Sequence, residues 1–249
     1  MGALVEDDGT FTLASSLSSL STTPEHARDK VLSYTLIRLL SKLIDLLAPS
    51  QMHAGGFEEI GRLETQFDLW FQVLSPSFLP DGVFSTARDG EHAISSLIVR
   101  ELWFSNDLCA TTMMYYHMAR ILLLFHRPSG LVPKPASSYG GMPFDLLRAF
   151  RDLEKSGQKH AADVISIFRA TSCDAVMLRA IQPLYVAARC CTEIGDRRAL
   201  VDMLRSIQDG LGITTRYRVE MLLEEWNLSY EALGLQPGAT VEEELLQMD

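Results

Sequence analysis

The chain has 249 residues, 47% hydrophobic and 22% charged, with a net charge of −10 from 22 Lys and Arg against 32 Asp and Glu. A chain of this length buries roughly 70–75% of its unfolded surface, and its composition lies far from that of disordered segments, so one large folded domain with a sizeable core is expected. The acidic balance repels phosphate backbones, and the short basic groups Arg197-Arg198 and Arg216 with Arg218 are flanked by Asp196, Asp202 and Glu220, so they read as solvated faces rather than as a nucleic-acid footprint.

Cys109, Cys173, Cys190 and Cys191 show no C-x-x-C spacing, and the only close pair is adjacent in sequence, a poor fit to a disulfide framework or a zinc site. Buried thiols in an intracellular, nuclear or cytoplasmic, setting are expected. Met1 is followed by the acidic Glu6, Asp7 and Asp8, where a secretory signal needs a basic and then an apolar region.

Residues 1–24 are rich in Ser, Thr and Leu and read as a flexible arm closed by Pro24. A first helix is predicted over 25–48, with Thr23 as cap, Pro24 in the first turn, a stripe of Val31, Tyr34, Leu39, Leu43, Ile44 and Leu47, and Pro49 as the stop. A second, over 57–74, sets Ile60, Leu63, Phe67, Trp70, Phe71 and Leu74 on one side and Glu58, Glu59, Arg62 and Asp68 on the other. Residues 75–92 read as a long irregular connection in which Phe78, Leu79 and Phe84 pack, and 92–104 as a short helix. Strand signals are weak throughout.

The central element is Asn106 to Pro128, capped by Ser105-Asn106-Asp107 and apolar on nearly every side. It invites reading as a membrane span, but Arg120 interrupts it, His126-Arg127 ends it, and no window reaches the roughly 18 uninterrupted apolar residues a span needs. Residues 128–143 form a Pro/Gly/Ser-rich loop, a candidate lid. Helices follow at 144–170, broken near Gly157, then at 174–194, 196–210 and 214–229. Pro183 should kink or unwind the 174–194 helix, because it lacks an amide donor and crowds the carbonyl of Arg179. The acidic tail, 233–249, ends in Glu242-Glu243-Glu244 and Leu245-Leu246. These elements predict an all-α protein, a single multi-helix domain of about eight helices over 25–232 around a buried central helix.

Several local patterns also fall in a recognisable order. Trp70-Phe71 and Pro80 are followed by Trp103, by the block Tyr115-Tyr116-His117-Met118-Ala119-Arg120-Ile121-Leu122-Leu123-Leu124, by Gln182-Pro183-Leu184-Tyr185-Val186-Ala187, and by Leu204, Ile207 and Leu211-Gly212 leading to Glu225-Trp226. Over about residues 30–230 this order resembles the C-terminal regulatory domain of fungal binuclear zinc-cluster transcription factors. The resemblance implies a helical region that senses metabolites or partner proteins and controls a DNA-binding module N-terminal to it. The zinc cluster needs six closely spaced cysteines, and residues 1–60 contain none, so DNA binding by that route is not expected of this chain, which reads as an excised regulatory domain or a stand-alone relative.

No G-x-S-x-G, H-E-x-x-H, P-loop or dinucleotide fingerprint is present. The polar tips on the central helix are the candidate ligand contacts: Tyr115, Tyr116, His117 and Arg120, joined by Tyr185 beyond Pro183 and by an apolar wall of Trp70, Phe71 and Trp103. His117 and Arg120 share one side of the helix. With Tyr116 they would carry the chemistry of a second reading, a stand-alone cofactor-free cyclase or isomerase of fungal secondary metabolism moving a proton on a small hydrophobic metabolite. A bland reading competes: a core His bonded to a carbonyl, an Arg paired with an acid, and aromatics serving as core. No metal and no cofactor are expected. The expected partners are a small hydrophobic metabolite or a regulatory protein, with a homodimer as a further option and neither nucleic acid nor membrane. A helical interaction scaffold is the third reading.

Overall fold

The structure, a computed structural model, describes residues 24–48, 56–85, 100–126 and 146–236, without the side chains of Phe57 and Leu146. The expectations for the N-terminal arm, for the 128–143 loop and for most of the acidic tail lie outside these residues. Among the described residues there are seven α-helices: α1 (Glu25–Leu47), α2 (Gly56–Gln72), α3 (Asp107–His126), α4 (Leu146–Ala170), α5 (Asp174–Ala188), α6 (Ile194–Leu211) and α7 (Arg216–Trp226). The fold is helical and organised around α3, as expected. α3 packs against α1, α4 and α5; α5 also packs against α4, α6 and α7.

The centrality of α3 follows from its lack of a polar side. Cys109, Met114, Met118, Ala119, Ile121 and Leu123 point in different directions, and each is at most 3% exposed. A helix apolar all round must be buried all round. Its length and mean hydropathy of 1.3 would by themselves suffice for a membrane crossing, yet 61% of that window is buried inside the protein. The Asn106 cap forms as expected, its Oδ1 accepting the amide of Leu108 at 3.0 Å.

On α1 the buried stripe differs from the expected one. Leu32, Leu36, Leu39, Leu40 and Leu43 face the core, while Tyr34 is 72% and Ile44 53% exposed. The true stripe is disguised by two polar members, Asp29 and Ser33, both buried. Each has a partner elsewhere in the chain: the Ser75 hydroxyl donates to Asp29 at 2.5 Å, and the Thr112 hydroxyl lies 2.9 Å from that of Ser33. On α2, Ile60, Leu63, Phe67 and Trp70 are buried as expected, whereas Phe71 is 43% exposed. Trp70 fastens α2 to α1 through its indole N–H, which donates to the Leu32 carbonyl at 2.8 Å.

The connection after α2 is more ordered than its composition suggests. A 3₁₀ turn, Pro76–Phe78, buries Phe78, and Gly82–Ser85 forms a strand, β1. Its antiparallel partner β2 is Arg100–Trp103, in the register Gly82 to Trp103 through Ser85 to Arg100. The helix expected over 92–104 is therefore corrected at 100–103, where the residues are strand; 92–99 lie outside the described residues. A local periodicity cannot reveal a strand whose partner lies so far away. β2 runs along α4, where Arg100 pairs with Asp163, and Glu101 accepts from Arg169 at 3.2 Å.

In the C-terminal half, α4 is unbroken through Gly157, where a Cβ would stand 3.0 Å from the Phe125 ring and 3.5 Å from the Cys190 sulfur. α5 stays helical through the buried Pro183, without local unwinding, and ends at Ala188, earlier than expected. α6 closes on Gly212 and α7 on Asn227, both in the left-handed conformation (φ 68° and 52°) that terminates helices. Leu233 is buried, and Leu235 packs against the core.

Candidate functional site

Among the described residues, a group of titratable side chains gathers where α3, α4 and β2 meet. His160 and Asp163 stand three apart on α4, which puts them on one face, directed at His117 of α3. The Nδ1 atoms of His117 and His160 are 3.0 Å apart, and Oδ2 of Asp163 is 3.6 Å from the His117 Nδ1. Oδ1 of Asp163 is taken by the guanidinium of Arg100. The His117 and Asp163 side chains are only 12% and 13% exposed.

Burial dominates the electrostatics here. Desolvation, reinforced by His160, Arg100, Lys159 and Arg120, pulls His117 down to about 3, and the same burial with Arg120 and Lys159 pulls His160 down to about 4. Burial raises the Asp163 carboxyl, against the opposing pull of Arg100 and Lys159. At neutral pH the pair is therefore two uncharged imidazoles, one lending its Nδ1 proton to the other, beside a carboxylate with one oxygen already engaged.

Five of the eight residues proposed from the sequence gather on this side of α3. Tyr116 is buried beneath Trp70 and Phe71, with ring centroids at 5.5 Å and 4.9 Å and near-parallel planes, and it meets the His117 ring edge-on at 5.4 Å. Burial raises its phenol, against Arg120, which lowers it. One turn on from Tyr116, Arg120 donates to Asp68 of α2 at 2.5 Å. The other three lie apart. Tyr115 faces Arg179 of α5, Tyr185 sits beneath the Arg218 guanidinium at 4.6 Å, and Trp103 on β2 packs edge-on against Phe84 at 6.2 Å.

A cleft of about 390 Å³ opens between the C-terminal ends of α3 and α5, walled by Ile121, Leu122, Phe125, Val186 and Cys190, with Arg189 and Glu225 paired across its edge. None of the eight proposed residues lines it. Two further clefts flank the ribbon, and Trp103 contributes to both.

The sequence reading missed His160, Asp163, Arg100 and Asp68. The signal for the first two was present in His160-Ala161-Ala162-Asp163, an i, i+3 pair at the edge of an amphipathic helix. Spacing of this kind by itself does not distinguish a ligand pair from an ordinary polar edge. Arg100 and Asp68 carry no local signal, since their roles depend on a strand and a helix brought up from elsewhere.

Comparison with known proteins supplies the context. Over 217 residues the chain is 27% identical to Transcription activator AMTR1 of Alternaria alternata. It is a distant relative of a fungal transcription activator. The match takes in 80% of this chain and only 27% of the activator, so the chain corresponds to about a quarter of its relative's length. No protein-family profile and no solved structure matches the chain.

Proposed function

We propose that this chain is a regulatory domain of the kind carried by fungal zinc-cluster transcription regulators. It responds to a small hydrophobic metabolite or to a partner protein and makes no nucleic-acid contact of its own. The observation that carries this reading is the similarity to a transcription activator over 80% of the chain. The electrostatics agree with it. The net charge is −10, and two of the basic residues weighed above are engaged internally, Arg197 over Trp226 at 5.1 Å and Arg218 over Tyr185.

Of the two kinds of effector, a small molecule with an apolar body and a polar end would fit the α3–α5 cleft, where Ile121, Leu122 and Val186 stand beside His126, Arg189 and Glu225. A partner protein finds Leu79, Val83, Phe84 and Trp103 around the ribbon, 48% to 60% exposed. Proton-transfer catalysis by His117 draws little support, because an imidazole held near 3 is a weak base at neutral pH and Arg120 is already paired with Asp68.

The test is a fusion of the full chain to a heterologous DNA-binding module driving a reporter. Output that differs from the module alone, and that shifts when the cleft is filled by Val186→Trp, supports the reading. Output equal to that of the module alone, with the fusion stably expressed, counts against it.

A further inference from the structure

We propose that His117, His160 and Asp163 form a site for one divalent first-row transition-metal cation of the zinc class, joining α3 to α4. This inference stands on the cluster's geometry and is independent of the regulatory reading.

Three donors of the right chemistry, two imidazole nitrogens and a carboxylate oxygen, lie within 4.8 Å of one another. A tetrahedral cation with metal–nitrogen bonds of about 2.0–2.1 Å holds its two nitrogens roughly 3.3 Å apart. The Nδ1 atoms stand at 3.0 Å, so small side-chain rotations open the site, and the 3.6 Å from His117 Nδ1 to Asp163 Oδ2 already matches a shared cation. That distance is too long for a hydrogen bond, so His117 and Asp163 are not already bonded to each other.

Supporting groups are in place. Arg100 holds Oδ1 of Asp163, fixing the carboxylate so that Oδ2 points to the histidines, as residues behind metal ligands commonly do. The rings need not lose a proton to solvent: the Nδ1 proton shared between them moves to the Nε2 of its own ring, leaving two Nδ1 lone pairs for the cation. Opposing these terms, Arg100, Arg120 and Lys159 raise the local potential; Asp68 offsets Arg120, while the one charge of Asp163 is shared between Arg100 and the cation. Three protein ligands leave a fourth position for water or a small donor, the pattern of an open rather than a closed site.

The test uses the full chain stripped with chelator and titrated with Zn²⁺ by calorimetry, with Co²⁺ absorption as a second probe. One equivalent is expected to bind, with visible Co²⁺ bands lacking thiolate charge transfer. Affinity should fall at least tenfold in both His160→Gln and Asp163→Asn, with native circular dichroism retained, and should hold in Cys173→Ser. No stoichiometric binding, or binding unchanged in both ligand variants, overturns the proposal and leaves the cluster as a hydrogen-bonded imidazole pair. If His160→Gln fails to fold, Asp163→Asn alone decides.

Discussion

His117 and His160 face each other nitrogen to nitrogen at 3.0 Å across the contact between α3 and α4, both uncharged at neutral pH. Their low proton affinity has a direct cost in acid. In the unfolded chain both rings titrate near 6.5, whereas the folded protein refuses protons until about 4 at His160 and about 3 at His117. Between these limits the unfolded state binds more protons, so stability is complete above the unfolded value and falls with pH. The slope is about 1.4 kcal/mol per pH unit for each ring. Asp163, raised by burial, works in the opposite sense at the acid end of this window. In chelator, the urea midpoint should drop clearly from pH 7 to pH 5, and His160→Gln should remove about half of the drop; a flat profile contradicts the assignment.

Trp70 is the keystone of the α1–α2–α3 contact. It is fully buried, stacks on Tyr116, meets Phe78 edge-on at 6.0 Å and bonds the Leu32 carbonyl. Trp70→Ala should cost about 3–5 kcal/mol in denaturant unfolding. Trp70→Phe, which keeps much of the ring but removes the second donor to a carbonyl already bonded within α1, should cost about 0.5–1.5 kcal/mol for the lost bond. A cost near zero for Trp70→Phe would mean that the hydrogen bond contributes nothing.

Asp29 and Ser75 tie the start of α1 to the turn after α2 at 2.5 Å, with both side chains buried. Asp29→Ala should destabilise by about 1–3 kcal/mol, because the Ser75 hydroxyl is left without its acceptor. The exposed pair Arg189 and Glu225 offers the contrast, and Glu225→Gln should change stability by less than about 1 kcal/mol. Chemical denaturation of the two variants side by side distinguishes the cases.

Burial pushes the thiols of Cys109 and Cys190 up to about 12, with carboxylates such as Asp29 and Glu225 adding to it, and raises Cys191 as well. Since the thiolate is the reacting species, these three should resist a disulfide reagent at pH 8 in the folded protein, leaving Cys173 as the rapid site. All four cysteines should react after denaturation. Rapid labelling of more than one in the native state would contradict the packing.

A Cβ at Gly157 would stand 3.0 Å from the Phe125 ring, which is 49% exposed, so Gly157→Ala should stabilise α4 by up to about 1 kcal/mol through helix propensity provided the ring shifts by a few tenths of an ångström. A fall in melting temperature would show that the ring is held.

Much of the helical frame was legible because α2, α3 and α4 follow simple rules: one apolar stripe, an all-round apolar surface, and an amphipathic period. What escaped was what depends on distant partners. The core stripe of α1 includes Asp29 and Ser33, which look like surface residues until Ser75 and Thr112 are brought to them. β2 is a strand only beside β1. Within the site, the aromatic group and the helix bearing His117 and Arg120 were readable. Their partners were not, because His160 and Asp68 are assigned by packing between helices rather than by spacing along one.

The most direct test of the regulatory account is to replace the matching segment of AMTR1 with this chain and to measure transcription of a gene that AMTR1 activates. Activation clearly above that of AMTR1 lacking the segment is the predicted result. A chimera that is stable and nuclear yet no more active than the deletion would contradict it.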